Sequence, residues 1–295
     1  VPLRTGLNHK HRIYAEGGQG GFLFGLGANY NGTDGVMKGS DRESYGGNLD
    51  IIYRMDKLKF QNQFTATYTN SSNPIVPFST YAATNPYYKK TDENGEITPW
   101  LEYSDFAKAS NPLYNASLNS RNENSNLLLS NYFIAEYSPV ESFRLRARLG
   151  LTHINSNGEN FVSPLDTRFS NVDATMKGSF SSSNTRSTQV DGELTAIYAE
   201  VIDKHRFTVA LDAKISEYRS LSEGYSVVGF PEGNYTYPSF SNGYPEGGSP
   251  TYYESVSRSV SFLGTLNYAY DNRYLLDVNY TLSGSSVFGS NKRFK

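Results

Sequence analysis

Apolar and polar residues alternate with period two along much of the chain. From Leu58 to Tyr68 one face reads Leu58, Phe60, Asn62, Phe64, Ala66 and Tyr68, and the other Lys59, Gln61, Gln63, Thr65 and Thr67. Further on, Phe143, Leu145, Ala147, Leu149 and Leu151 oppose Arg144, Arg146 and Arg148. The same rhythm runs through Phe22, Phe24, Leu26, Ala28 and Tyr30, through Phe207 to Ile215, and through Tyr274 to Leu282. Such alternation marks strands with one apolar and one polar face. It predicts ten strands, near 9–16, 20–31, 43–54, 57–70, 125–137, 142–155, 186–200, 205–217, 255–270 and 273–283.

The links between these strands alternate as strictly as the residues within them. Short links fall at Gly17-Gly18-Gln19, Met55-Asp56, Ser138-Pro139-Val140-Glu141, Asp203-Lys204 and Asp271-Asn272. Long ones fall at about 32–42, 71–124, 156–185 and 218–254. A soluble sandwich has no reason to sort long from short by parity. Strands of roughly 10–15 residues with short turns at one end and long loops at the other suit a bilayer crossing. The expected fold is all-β, an antiparallel up-and-down transmembrane β-barrel. An open ten-stranded sheet would leave two unpaired edges, so residues 1–295 are expected to be an internal part of one larger barrel domain.

Composition agrees. Only 37% of residues are hydrophobic, yet 14% are aromatic, with 24 Tyr and 17 Phe among 295 residues. Barrel strands give only alternate residues to lipid, and aromatics gather in interfacial girdles. Strand-end Tyr30, Tyr53, Tyr68, Tyr137 and Tyr270 are expected there. With 27 Lys plus Arg against 29 Asp plus Glu, the net charge of −2 argues against a nucleic-acid partner. The absence of Cys excludes disulfides, thiolate metal sites and a cysteine nucleophile. No apolar run is long enough for a helical membrane span.

Several stretches resemble a known family. Pro2-Leu3-Arg4-Thr5-Gly6 with Lys10-His11, and Gly35-Val36-Met37-Lys38-Gly39-Ser40-Asp41-Arg42, are similar to the barrel start of SusC/RagA-like TonB-dependent outer-membrane transporters. Asn85-Pro86-Tyr87-Tyr88, Asn111-Pro112-Leu113-Tyr114-Asn115 and Ser163-Pro164-Leu165 resemble that family's loop motifs. The stretch from Asn272 to Leu276, followed by Gly284 to Phe294, looks like its Asp-Gly-Ser-Ser-Arg-Phe-Gly segment. Ser283 stands where Asp is usual there and Val287 where Arg is usual. The resemblance implies about ten strands of a 22-stranded barrel in the outer membrane of Bacteroidota, whose plug, TonB box and remaining strands lie outside this chain. It implies a SusD-like surface lipoprotein as cap and the TonB–ExbB–ExbD complex as energy source. Oligosaccharide or peptide is the implied cargo, with membrane lipid and LPS around the wall. The alternatives are a passive porin-like channel and a soluble surface glycan-binding β-protein.

The chemistry of the residues points to transport rather than catalysis. No Ser/His/Asp motif, phosphate cradle or EF-hand spacing is present, so no enzyme, cofactor or metal is expected. His9 and His11 share a strand face, which suits an interfacial strand end better than a ligand pair. Gly17 to Gly21 reads as a tight turn, and Asn94-Gly95 as a hairpin turn inside the long loop. On a lipid face Arg144, Arg146 and Arg148 would each cost roughly 2–4 kcal/mol near the midplane, so they are expected to face the lumen. There they form either an electropositive wall for anionic cargo or, as preferred, a ladder of ion pairs. Asp212, Lys214, Glu193, Asp50 and Asp277 are expected to face inward with them. Tyr87, Tyr88, Trp100, Tyr103, Tyr114 and Tyr235 are the candidate substrate-binding residues, because loop aromatics stack on sugars or peptide side chains.

Overall fold

A computed structural model describes residues 2–104 and 107–288. The part of the C-terminal motif from Gly289 onward lies outside the described residues. Strands β1 (Leu7–Gln19), β2 (Phe22–Asp34), β3 (Asp41–Met55) and β4 (Leu58–Ser72) come first. Then follow α1 (Phe78–Ala83), the hairpin β5 (Trp100–Tyr103) and β6 (Lys108–Ser110), and α2 (Pro112–Ser117). The chain continues through β7 (Arg121–Val140), β8 (Phe143–Val162), β9 (Ser179–Ile202), β10 (His205–Val228), β11 (Thr251–Tyr270) and β12 (Tyr274–Ser285). All but β5 and β6 form one ten-stranded sheet, ordered as in sequence, with every pair antiparallel. Among the described residues no helix is long and apolar enough to cross a membrane.

All ten expected strands are present, and the differences lie at their ends. The links at Gly17-Gly18-Gln19 and Ser138 to Glu141 are shorter than expected. Strand β1 runs to Gln19, because Phe24 covers Gly17 across the ladder; the turn is made by Gly20, at φ 60°, and Gly21. Strand β7 reaches Val140 through a register irregularity after Tyr137. The larger correction is at the long-loop end. Strands β8, β9 and β10 continue to Val162, from Ser179 and to Val228, so the loops there cover only 163–178 and 229–250. These extensions are rich in Ser, Thr and Asn, which carry no apolar period, and backbone pairing holds them instead.

The register aligns the aromatics into two rows on the apolar face. Tyr30, Tyr45 and Tyr68 face one another across β2, β3 and β4, and Phe22, Tyr53 and Phe60 do so below them. Eight residues separate the rows on each strand, which is about 26 Å along the strand and about 20 Å in height at a 40° tilt. That matches the apolar band of an outer-membrane barrel. His9 and His11 stack beside Tyr30 at 5.5 and 6.3 Å between ring centres, as part of the upper row.

The long links form a packed assembly. Phe161, Phe180, Val227 and Phe230 bury one another, with Phe161 and Phe230 edge to face at 5.2 Å. Gly178, at φ 77°, lets Phe230 and Pro164 lie within 3.1 and 3.2 Å of where a Cβ would stand. Asn115 exchanges two hydrogen bonds with Thr167, and Asn119 donates to the Gly233 carbonyl. The 73–120, 163–178 and 229–250 segments are thereby tied together. At the chain start, Arg4 pairs with Asp41 and donates to the carbonyls of Gly35 and Ser40, joining the two N-terminal family-like stretches.

Leu211 lies exposed on the apolar face midway along the band. In the full-length protein in phospholipid vesicles, Leu211→Arg is expected to lower stability to urea by about 2–4 kcal/mol. Ser216→Arg on the opposite face should change it by less than about 1 kcal/mol. Phe161→Ala should cost roughly 3–5 kcal/mol locally and expose 163–178 and 229–243 to limited proteolysis, while the strands stay protected.

Candidate functional site

The face opposite the aliphatic band carries the charges. Arg146 lies 3.8 Å from Glu136, which also meets Lys59 at 3.7 Å. Arg148 pairs with Glu193 at 3.5 Å and lies 4.3 Å over the Tyr132 ring. Among the described residues no carboxylate comes within ion-pair distance of Arg144. Thr195 donates to Asp212 at 2.8 Å, and Lys214 sits opposite Glu193 in the register. Asn48 donates to Asp50 and Asn267 to Asp277, at 3.2 and 2.6 Å. Half-exposed pairs of this kind contribute about 0–1 kcal/mol each. Their consequence is local charge balance across that face.

Toward the long-loop end the same face changes character. Asn122, Asn124, Asn160, Ser181, Ser183 and Ser222 line a recess of about 420 Å3, closed on one side by Pro245, Gly248 and Thr251. The row continues downward through cross-strand pairs: Thr185 with Ser222 at 3.1 Å, and Asn126 with Ser156 at 2.7 Å. Glu159 and Glu223 also line the recess, each paired with an arginine, Arg121 and Arg186. Amides and hydroxyls donate and accept at once, so the rest of this wall can hydrogen-bond peptide groups or sugar hydroxyls. The recess residues lie beyond the strand limits near 125, 155, 186 and 217 that the apolar rhythm predicts. The available signal was the density of Ser, Thr and Asn in 179–189 and 122–126.

The six aromatic candidates do not converge on one point. Tyr88, Trp100 and Tyr103 gather around the β5–β6 hairpin. Tyr88 donates to the Glu102 carboxylate, which together with that charge and partial desolvation raises its pKa. Trp100 and Tyr103 lie 5.2 Å apart, with Lys108 4.8 Å over the Tyr103 ring. Tyr114 is half-buried on α2, its pKa raised by burial and then by Glu232 and Asp166. Tyr235 packs edge-on against Phe240 at 5.1 Å in another loop. Tyr87 is 92% exposed, its backbone N–H held by the Asn85 side chain. The expected hairpin turn at Asn94-Gly95 is present, with Gly95 at φ 85°. Buried Asn111 caps α2 and donates to the carbonyls of Lys90 and Thr98, fixing the hairpin against the helix.

No protein-family model matches the chain. The TonB-dependent receptor P26 of Formosa agariphila is 29% identical over 273 residues, spanning 90% of this chain and 27% of that protein. A structure of the RagAB peptide transporter superposes with a TM-score of 0.78 at 20% identity, covering 98% of this chain and 33% of that one. BauA, the ferric preacinetobactin receptor of Acinetobacter baumannii, follows at 0.55 and 11%, over 96% of this chain and 41% of that one. The chain thus spans about a quarter of its curated relative and a third of the transporter. Those relatives are named as receptors and transporters, not enzymes. Sequence likeness and shared fold agree, and the chain is similar along most of its length to the barrel wall of RagA-like TonB-dependent receptors.

Proposed function

We propose that the chain is part of the wall of an outer-membrane importer of SusC/RagA type, belonging to a single barrel domain completed by further strands and a plug. The apolar face meets lipid, and the face with Arg144, Arg146, Arg148, Asp212 and Lys214 lines the lumen. Cargo is an oligopeptide or oligosaccharide, taken in beneath a SusD-like lipoprotein and drawn through with energy from the TonB–ExbB–ExbD complex. The observation that carries this reading is the continuity of the polar face. A lower wall of ion pairs leads up to a recess lined largely by Asn and Ser beneath loops rich in Tyr. Such a path can hold a polar, flexible chain at many weak points and still release it.

The test is uptake by cells that produce the full-length protein with its partners. Labelled oligopeptides and labelled oligosaccharides are supplied with and without a protonophore. Uptake of one cargo class is expected to collapse on de-energisation. The double substitution Asn124→Leu and Ser183→Leu should reduce it about ten- to thirtyfold at equal barrel abundance, as two lost hydrogen bonds of about 1 kcal/mol each require. Uptake indifferent to the protonophore would replace this reading with a passive channel. Uptake indifferent to the double substitution would remove the recess from the cargo path.

A further inference from the structure

On the apolar face, where the aliphatic band gives way to charge, the wall has a groove of about 480 Å3. Its floor is one cross-strand row, Gly192, Ile215, Val260 and Gly284 on β9 to β12. The glycines at either end leave the aliphatic pair flanked by missing side chains. Ile215 leans toward Gly192, whose substituted Cβ would meet it at 3.1 Å. The next row up is Val190, Glu217, Arg258 and Ser286.

The charged roof is built rather than scattered. Glu217 receives the Nε of Arg219 on one oxygen at 2.5 Å and the Nε of Arg258 on the other at 2.6 Å. One carboxylate therefore orients two guanidiniums, and the cluster keeps a net charge of +1. The side chains of Arg219 and Arg258 remain 58% and 64% exposed, while Glu217 is 30% exposed. Glu217 engages each guanidinium through its Nε, which leaves Nη donors on both arginines for a phosphate.

We propose that this groove seats one phosphorylated lipid of the outer leaflet, its acyl chain over Gly192 and Gly284 and its phosphate on Arg219 and Arg258. The inference rests on the barrel reading, which places this face against lipid. An apolar floor below two cations, Arg258 one row up and Arg219 two rows up, matches an amphiphile whose tail lies below its anionic head. A purely polar or purely apolar partner would leave half of the groove unmatched.

The experiment uses the purified full-length protein in detergent, titrated with dioleoyl phosphatidic acid or dioleoyl phosphatidylcholine and read by native mass spectrometry. Wild type is expected to prefer the phosphatidic acid about tenfold. Inorganic phosphate in millimolar excess should not displace it, because the acyl contact is lost. Arg219→Gln with Arg258→Gln should abolish the preference while leaving weak binding of both lipids. Gly192→Leu should weaken both lipids by fillling the floor. Equal binding of the two lipids by wild type, an unchanged preference in the double variant, or full displacement by phosphate would each overturn the proposal. A urea wash of the membranes separates this outcome from failure of the barrel reading. Protein that washes off the membrane is not an integral barrel, whereas protein that stays but shows no lipid preference refutes the groove alone.

Discussion

Every backbone N–H and C=O at membrane depth must be paired within the protein, because hydrocarbon offers no partner. That requirement governs the rest of this chain. Ten strands pair antiparallel in sequence order, and along their membrane-crossing parts the ladder is broken only by the irregularity near Tyr137 and Val140, at the short-turn end. A register so fixed leaves no freedom in which face a side chain takes. A slip by one residue would turn Arg144, Arg146 and Arg148 to lipid and Leu145, Leu149 and Leu151 to the polar side. The cost of that exchange locks the sheet more firmly than any single contact does.

The same ladder carries the strands beyond the bilayer. Above the upper tyrosine row, β8, β9 and β10 continue for several residues on backbone pairing, with Ser, Thr and Asn side chains that also pair across strands, as Thr185 does with Ser222. These extensions set the height of the polar recess and supply Phe161, Phe180 and Val227, on which the loops settle. Loop order depends on amides as much as on that small core. Asn111 and Asn115 each satisfy backbone groups that a mobile loop would leave to water. The aromatics of those loops are consequently held in separate small clusters rather than in one stacking platform.

Two faces of one sheet therefore do unrelated work without interfering. The polar face grades from ion pairs to a recess lined largely by Asn and Ser. The apolar face grades from aliphatics to a charged rim that includes Glu217, Arg219 and Arg258. Both gradients run along the strand axis, since each strand crosses from lipid depth to water.

The sequence by itself determined the fold class, the number of long strands and which residues share a face, because a period of two is written residue by residue in segments such as 58–68 and 143–151. The same alternation put Arg146 and Arg148 on the face opposite Leu145 and Leu149. Strand ends at 162, 179 and 228 were beyond its reach, since Ser and Asn pair in a ladder as readily as they form loops and leave no apolar rhythm. Tertiary structure alone decided which residues meet across the loops, such as Asn115 with Thr167 or Phe161 with Phe230. It likewise joined Gly192, Ile215, Val260 and Gly284 into one floor. Those residues are up to 92 positions apart in the chain, and only the register of four strands, fixed by the need to pair every backbone group, brings them side by side.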